Sequence, residues 1–164
     1  MKTMTLNQSK LLLPVLCALW GFAGMTLVQA EKNSSKTLVP LSDDNAAELG
    51  FDVAMLKDGV VWKNRIEDTR SITKISFSRN LDGEVMMRAW GACTPSDCDW
   101  GESPVLVRGR GKDATLVILW DQGFCERVQE LSIRGGGIRL ESSTVYTDDS
   151  KRKDQSQTDE FVKG

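Results

Sequence analysis

The segment SITKISFSRNLDGEVMMRAW, residues 71–90, carries the clearest fold signal in the sequence. Two runs suited to β-strands flank Asp82-Gly83, a pair typical of a hairpin turn with positive φ. Successive side chains of a strand point to opposite faces, so alternate positions of the second run separate into two sets. These sets are Val85, Met87 and Ala89 on one face and Met86, Arg88 and Trp90 on the other. The segment therefore predicts an antiparallel hairpin with one buried face.

The same pattern continues beyond this hairpin. Short apolar or alternating runs follow one another from Gly59 onward, separated by glycine turns such as GRGK (109–112) and RGGG (134–137). No run keeps the 3.6-residue period of a helix. The predicted strands are 59–64, 72–78, 84–91, 104–109, 114–120, 126–133, 137–146 and 157–162. The sequence therefore predicts an all-β domain over residues 58–164.

About eight antiparallel strands must protect two sheet edges. Short hairpin links favour an up-and-down barrel of the lipocalin or avidin type, and a two-sheet sandwich remains the alternative. Strand 114–120 is apolar on both faces, which indicates a central strand or contact with another element. The interior of an eight-stranded barrel either is filled by side chains or holds one small ligand.

A short helix is predicted ahead of the strands. The stretch SDDNAAELG offers Ser42 or Asp43 as an N-cap, acids in the first turn and Gly50 as a stop. The preceding EKNSSKTLVP, residues 31–40, is polar and without periodicity. Residues 31–57 are therefore interpreted as a flexible leader with a short helix.

The N-terminus resembles a secretory signal. Lys2 and Lys10 precede an uncharged run of eighteen residues, Leu11 to Val28, and Ala30 offers a cleavage site, which defines residues 1–30 as a signal peptide. If the run is not cleaved it is just long enough to anchor the protein in a membrane. The sequence therefore predicts export to the periplasm or the extracellular space.

Charge gives little support to a nucleic-acid partner. The chain has 21 basic and 23 acidic residues, and the signal contains two lysines and no acid, so cleavage leaves a formal charge of −4. A nucleic-acid partner would favour a basic surface, and none is predicted.

Three cysteines remain after the signal. Cys93 and Cys98 flank the four-residue loop TPSD, whose proline and polar residues bring the two Cα atoms within bridging distance, and we expect a disulfide there. Cys125 is then a free thiol, interpreted either as a small buried hydrophobe or as one half of an intermolecular disulfide.

Other chemistry in the loop GACTPSDCDWG, residues 91–101, is less favoured. Flanking aspartates raise a thiol's pKa, which opposes redox catalysis, and the chain has no histidine for a zinc site. Calcium could use Asp97, Asp99 and Glu102, although their spacing is not that of a calcium loop. No metal or cofactor is predicted.

The lack of histidine also removes the usual acid-base and nucleophilic machinery. Only a carboxylate pair chosen from Asp97, Asp99, Glu102 and Asp121 remains, and acids on exposed loops are more often solvated. We therefore expect a protein that is not an enzyme.

Tryptophans offer the strongest recognition candidates. A small β domain can use Trp62, Trp90, Trp100 and Trp120 as core residues. The alternative is a ligand-binding surface, with Trp100 first because it lies on the stapled loop. The residues predicted for this surface are Trp100, Asp99, Trp90, Arg88 and Asn64.

Three stretches carry a family resemblance: WKN (62–64), DTRSITKI (68–75) and AWGACTPSDCDWG (89–101). Together they resemble a small β module of exported bacterial proteins, mostly uncharacterised, with the pattern W-x-N, T-R-x-I-T-[KR]-I and W-G-x-C-x-P-x-D-C-D-W-G. The resemblance implies a secreted β-barrel-like domain with a paired cysteine loop and no assigned reaction. Thr94 stands where that pattern often has histidine, so a role that needs an imidazole there is not expected.

Two functions follow as hypotheses. The first is a non-enzymatic exported binding module that engages a glycan, a small molecule or an extracytoplasmic protein through the stapled loop. The second is a structural, envelope-associated domain, in contact with the membrane only if the N-terminus is uncleaved.

Overall fold

The computed structural model describes residues 37–164. The predicted signal peptide and the first part of the leader lie outside the described residues. Residues 37–164 contain one α-helix, α1 (Asp43–Leu49), and two 3₁₀ helices, Val53–Met55 and Gly111–Asp113. None of these helices is long and apolar enough to cross a membrane. The strands are β1 Leu38–Pro40, β2 Val61–Asn64, β3 Ile72–Arg79, β4 Val85–Gly91, β5 Cys98–Pro104, β6 Leu106–Arg108, β7 Thr115–Asp121, β8 Cys125–Arg134, β9 Gly137–Tyr146 and β10 Gln155–Lys163.

All these strands belong to one antiparallel sheet, which confirms the predicted all-β fold. Its order is β1-β6-β7-β8-β9-β10-β2-β3-β4-β5. The eight predicted strands correspond to β2–β4 and β6–β10, with ends displaced by a few residues at most. Strand β7, which is apolar on both faces, lies between β6 and β8, as its composition indicated.

The sheet curls into a half-barrel, and its two edges come together at Val105. This residue alone separates β5, at one edge, from β6, next to the other edge. Three backbone hydrogen bonds link the edges there: Leu41 donates to Val105 at 2.8 Å, Val105 to Val85 at 2.8 Å, and Val85 to Leu41 at 2.7 Å. Farther along β5, Ser103 Oγ donates to the Leu119 carbonyl at 2.7 Å.

Two strands differ from the sequence-based expectation. Residues 98–103 were expected in a long connection, yet they form most of β5, which pairs with β4. Residues 38–40 were expected in the flexible leader, yet they form β1, which pairs with β6. Both are edge strands, where pairing is held by backbone groups and tolerates aspartate, glycine and proline without an alternating pattern.

Helix α1 has the predicted ends. Ser42 is the N-cap: its hydroxyl accepts from the Asn45 amide at 3.3 Å, and Asn45 Oδ1 accepts from the Ser42 amide at 2.9 Å. Such reciprocal capping satisfies two donors that the first turn leaves free. Gly50 ends the helix with φ +88°, a conformation that glycine adopts without strain.

The interior of the half-barrel holds both apolar and polar side chains. We call the end that carries loops 92–97 and 147–154 the stapled-loop end, and the opposite end, which carries the turn 134–137, the glycine-turn end. Fully buried apolar side chains form one core cluster, which includes Trp62, Phe77, Met87, Ile118, Leu140 and Phe161. Buried polar side chains also lie in the interior: Asn64, Gln129, Ser142, Thr144 and Asp159.

Candidate functional site at the stapled loop

A disulfide closes the loop that gives this end its name. Cys93 and Cys98 are bonded, with their Cα atoms 5.5 Å apart, as predicted. Cys98 is also the first residue of β5 and pairs with Gly91 at the end of β4. The bridge therefore ties the loop to the strand pair on which the predicted site residues lie.

Outside the half-barrel, Trp90 lies between two cations. The Lys74 Nζ atom is 5.0 Å and the Arg88 Cζ atom 5.3 Å from its ring centroid. Such contacts contribute about 0.5–1 kcal/mol each at exposed sites. Trp90, Lys74 and Arg88 are all half-buried on the outer face of β3 and β4, and we call this group the outer platform.

Acids of the stapled loop complete the outer platform. Asp99 pairs with Arg88 and also accepts from the Gly101 amide at 2.9 Å. The hydrogen bond from Arg88 lowers the pKa of Asp99 and raises the pKa of Arg88. Asp97 accepts from Thr73 Oγ1 at 2.8 Å and lies 3.5 Å from Lys74 Nζ.

Glu102 lies on β5, just after the stapled loop, and its carboxylate accepts a hydrogen bond from Ser78 Oγ at 3.2 Å. Asp121, the fourth acid considered from sequence, lies on β7 and accepts from the Gly123 amide at 2.8 Å. Within residues 37–164 no group of three or more cysteine, aspartate or glutamate side chains could hold a metal ion. The acids thus serve as separate hydrogen-bond partners of the chain itself.

Trp100 points inward, unlike Trp90. Its ring meets Trp120 edge to face, with centroids 5.9 Å apart and planes at 76°. It also lies directly over Gly91, where a Cβ atom would be 2.8 Å from the ring. The stapled loop thus places one tryptophan across the seam between β5 and β7.

Arg127 of β8 stacks on this inward tryptophan. Its Cζ atom is 4.3 Å from the Trp100 ring centroid, and its Nε donates to Thr144 Oγ1 at 2.8 Å. Burial lowers the pKa of the Arg127 guanidinium, although a guanidinium stays charged at neutral pH. Within residues 37–164 no acidic side chain forms an ion pair with it.

A chain of hydrogen bonds supports Trp120 beside Arg127. The Trp120 indole donates to Gln129 Oε1 at 2.7 Å, and Gln129 Nε2 donates to Ser142 Oγ at 3.1 Å. We call Trp100, Trp120, Arg127, Gln129 and Thr144 the mouth cluster.

Asn64 takes part in a separate buried network. Its Nδ2 donates to the Ile72 carbonyl at 2.7 Å and to Asp159 Oδ1 at 2.8 Å. Ser71 Oγ donates to the other oxygen of Asp159, also at 2.8 Å. Asn64 is only 7% exposed, so its amide holds β2, β3 and β10 together.

The five predicted site residues therefore fall into three environments. Trp90, Arg88 and Asp99 meet on the outer platform, Trp100 belongs to the mouth cluster, and Asn64 belongs to the Asp159 network. Arg127 was not among the residues predicted from sequence, although its spacing on β8 puts it on the same face as Gln129 and Leu131 and so indicates an inward-facing charge.

Cys125 is a free thiol, as predicted. It is fully buried, and its sulfur lies 3.4 Å from Gln122 Oε1. This burial agrees with the interpretation of Cys125 as a small hydrophobe, and it gives no support to an intermolecular disulfide.

Comparison of the chain with models of protein families, with curated proteins and with solved structures gave no match. Function is therefore inferred from the described side chains.

Proposed function

We propose that the protein is a non-enzymatic exported binding module whose ligand enters the half-barrel at the stapled-loop end and accepts hydrogen bonds from Arg127. The observation that carries this proposal is a half-buried guanidinium stacked on Trp100, with no acidic partner among residues 37–164. Desolvation of the Arg127 guanidinium lowers its pKa overall and outweighs the effect of Asp159, which raises the pKa from a distance. A direct acceptor would offset the cost of that desolvation.

The free donors of Arg127 define the chemistry of the ligand. Its Nε donates to Thr144, whereas the two terminal nitrogens have no hydrogen-bond acceptor within residues 37–164. Two parallel N–H groups of this kind match a carboxylate or a similar oxyanion. A ligand with one acidic group therefore suits the site better than a neutral one.

The neighbours of Arg127 suit a compact ligand with one apolar face. Trp100 provides half-buried aromatic surface, backed by Trp120, and the hydrogen bond to Thr144 holds the guanidinium in a fixed position. Binding sites for small molecules combine these two features. An acidic sugar or a small carboxylate meets the requirement.

Two observations support export. The N-terminal residues follow the signal-peptide pattern, and the disulfide Cys93–Cys98 is of a kind that persists in oxidising compartments.

A structural role at the cell envelope is the second candidate function. The outer platform supports it, because a half-exposed tryptophan beside an arginine with a rim of acids is typical of protein contacts. In that case the partner is a protein and the mouth cluster is a structural element.

Tryptophan fluorescence distinguishes the two functions. Wild-type protein is titrated with glucuronate, galacturonate, succinate and neutral glucose, and we expect the acidic probes alone to change the emission. Arg127→Gln removes the donors and should weaken binding by roughly 10- to 100-fold, since charge-assisted hydrogen bonds contribute about 1.5–3 kcal/mol.

The matched control is Arg152→Gln, which removes an arginine at the same end but outside the mouth cluster and should leave affinity unchanged. Equal binding by wild type and Arg127→Gln contradicts the proposal, as does a lack of response to every acidic probe. Pull-down of an envelope protein that is lost in Trp90→Ala but kept in Arg127→Gln supports the second function instead.

A further inference from the structure

A second candidate site lies at the glycine-turn end, opposite the stapled loop. Two clefts flank the turn there and share Gly136. The first, of about 380 Å³, includes Arg65, Arg134 and Arg139 in its lining. The second, of about 330 Å³, includes Lys57 and Lys163.

Cations outnumber acids in both clefts. Five basic side chains line them against one acid, Glu160, in a chain whose formal charge is −2. Glu160 lies 3.0 Å from Arg65 and 3.8 Å from Arg139, and Arg139 also pairs with Glu141 at 3.0 Å. A positive excess therefore remains after every ion pair is counted.

Three of the cations contribute this excess. Among residues 37–164, Arg134, Lys57 and Lys163 form no ion pair, and all three are exposed. One lines the first cleft and two line the second, so unpaired positive charge lies on both sides of the glycine turn.

Unused donors accompany these charges. The Trp62 side chain lines the second cleft, is 2% exposed, and its indole N–H has no acceptor within residues 37–164. A buried donor without an acceptor is unfavourable, and pairing removes that penalty. Gly135 and Gly136 form the turn itself, with φ +55° and +79°, and neither is a paired position of the β8–β9 ladder.

We propose that the glycine-turn end binds a phosphate-bearing ligand whose charges span the two clefts on either side of Gly136. Guanidinium groups match phosphate oxygens in pairs, and lysines add charge without fixed geometry. Turn amides with positive φ are suited to anions as well. The phosphates belong either to a soluble polyphosphate or to lipid headgroups.

This site is separate from the mouth cluster and carries a different chemistry. Its contacts come from flexible surface cations rather than from one stacked guanidinium. Loss of either binding activity therefore leaves the other testable.

Calorimetric titration of the full chain with sodium tripolyphosphate tests the proposal. The double variant Arg134→Gln/Lys163→Gln removes one cation from each cleft and should bind roughly 10- to 100-fold more weakly. The matched control, Arg110→Gln/Lys112→Gln, removes the same charge from exposed residues that line neither cleft and should change affinity less than about threefold, since salt screens exposed charges that do not touch the ligand.

A second arm separates the two phosphate sources. Vesicles of phosphatidylcholine with phosphatidic acid are compared with pure phosphatidylcholine by cosedimentation. Binding to tripolyphosphate supports a soluble ligand, and binding only to the acidic vesicles supports a lipid. No binding to either probe, or equal weakening in both double variants, overturns the proposal.

Trp62→Phe tests the indole donor, because it keeps the aromatic ring and removes the N–H. We expect a several-fold loss of affinity for whichever probe binds, with a single cooperative unfolding transition in the variant as the check on folding. Unchanged affinity overturns the part assigned to Trp62.

Discussion

The two ends of the half-barrel join their strands in different ways. At the stapled-loop end, long connections are fixed by the disulfide Cys93–Cys98 and by ion pairs between neighbouring side chains. These ion pairs are Lys74–Asp97, Arg88–Asp99 and Arg152–Asp148. At the glycine-turn end, a two-residue turn joins β8 to β9, and the cations around it exceed the acids.

The cations proposed to bind ligands therefore differ in burial between the two ends. At the stapled-loop end Lys74, Arg88 and Arg152 have acidic partners on the outer surface, whereas Arg127, which forms no ion pair among residues 37–164, lies inside on Trp100. At the glycine-turn end the unpaired cations lie on the surface. Depth determines selectivity, because a desolvated charge discriminates between ligands by geometry, whereas an exposed charge responds to any polyanion and is screened by salt.

The largest expected effect comes from breaking the buried polar network around Asp159, which lies between the two ends. Asp159→Ala removes the acceptor of Asn64 and Ser71 and leaves their donors buried, so we expect a loss of about 3 kcal/mol in the free energy of unfolding. Urea unfolding measures the loss.

The next residue provides the control. Glu160 points outward, is about half exposed and pairs with arginines on the surface, so Glu160→Ala should cost less than about 1 kcal/mol. Equal losses in the free energy of unfolding for the two substitutions would mean that the buried Asp159 network stabilises the fold no more than a surface ion pair does.

The Asp159 network also shows what sequence could and could not provide. The alternation in 84–91, the Asp82-Gly83 turn and the capped helix are local patterns, and each was found in the structure. Asn64 and Asp159 are 95 residues apart, and β2 pairs with β10. Local periodicity gives the faces of a strand but not its neighbours, so this network could not be predicted.

The same limit explains the partial success at the site. The cysteine spacing predicted the disulfide, and the alternation placed Trp90 and Arg88 on one face. Trp100 was assigned to a loop because CDWGESP lacks alternation, although pairing with β4 makes it part of an edge strand that turns the ring inward. Arg127 became a candidate only once Trp100 lay against it.

Removing the staple should have the second largest effect. Cys93→Ser/Cys98→Ser frees a short loop, and we expect a loss of about 2 kcal/mol on the chain-entropy model. Hydrogen exchange should accelerate at residues 92–101 and stay unchanged at 134–137, which sharpens the contrast between the ends. Reductant should destabilise wild type by a similar amount and leave the variant unaffected; a variant as stable as wild type would contradict this.

Two glycines test the ends separately and with a smaller effect. An alanine Cβ at Gly91 would be 2.8 Å from the Trp100 ring, and one at Gly137 would be 2.9 Å from the Phe161 carbonyl oxygen. We expect each substitution to cost about 1–2 kcal/mol through overpacking. Gly91→Ala alone should change tryptophan emission and weaken binding at the mouth cluster, since only it displaces Trp100. Identical emission changes in both variants would show that the ends are coupled.

The smallest effect concerns the pairing of surface charge at the stapled-loop end. The hydrogen bond from Arg88 lowers the pKa of Asp99 in the folded protein. A carboxyl whose pKa is lowered by folding contributes stability above its unfolded pKa, about 3.9 for aspartate, and this contribution is lost as the pH falls through the folded pKa. Asp99→Asn should therefore lower stability slightly at neutral pH and have no effect in acid below both pKa values.

Titration of the Asp99 carboxyl by NMR measures this directly, and Arg88→Gln is the matched variant because it removes the main cause of the shift. We expect a midpoint below the usual aspartate value in wild type and a return toward that value in the variant. A wild-type midpoint at or above the usual value would mean that Arg88 and Asp99 do not pair in solution. Arg127 would then no longer differ from Arg88 in lacking an acidic partner, and the contrast between inner and outer charge would rest on the burial of Arg127 alone.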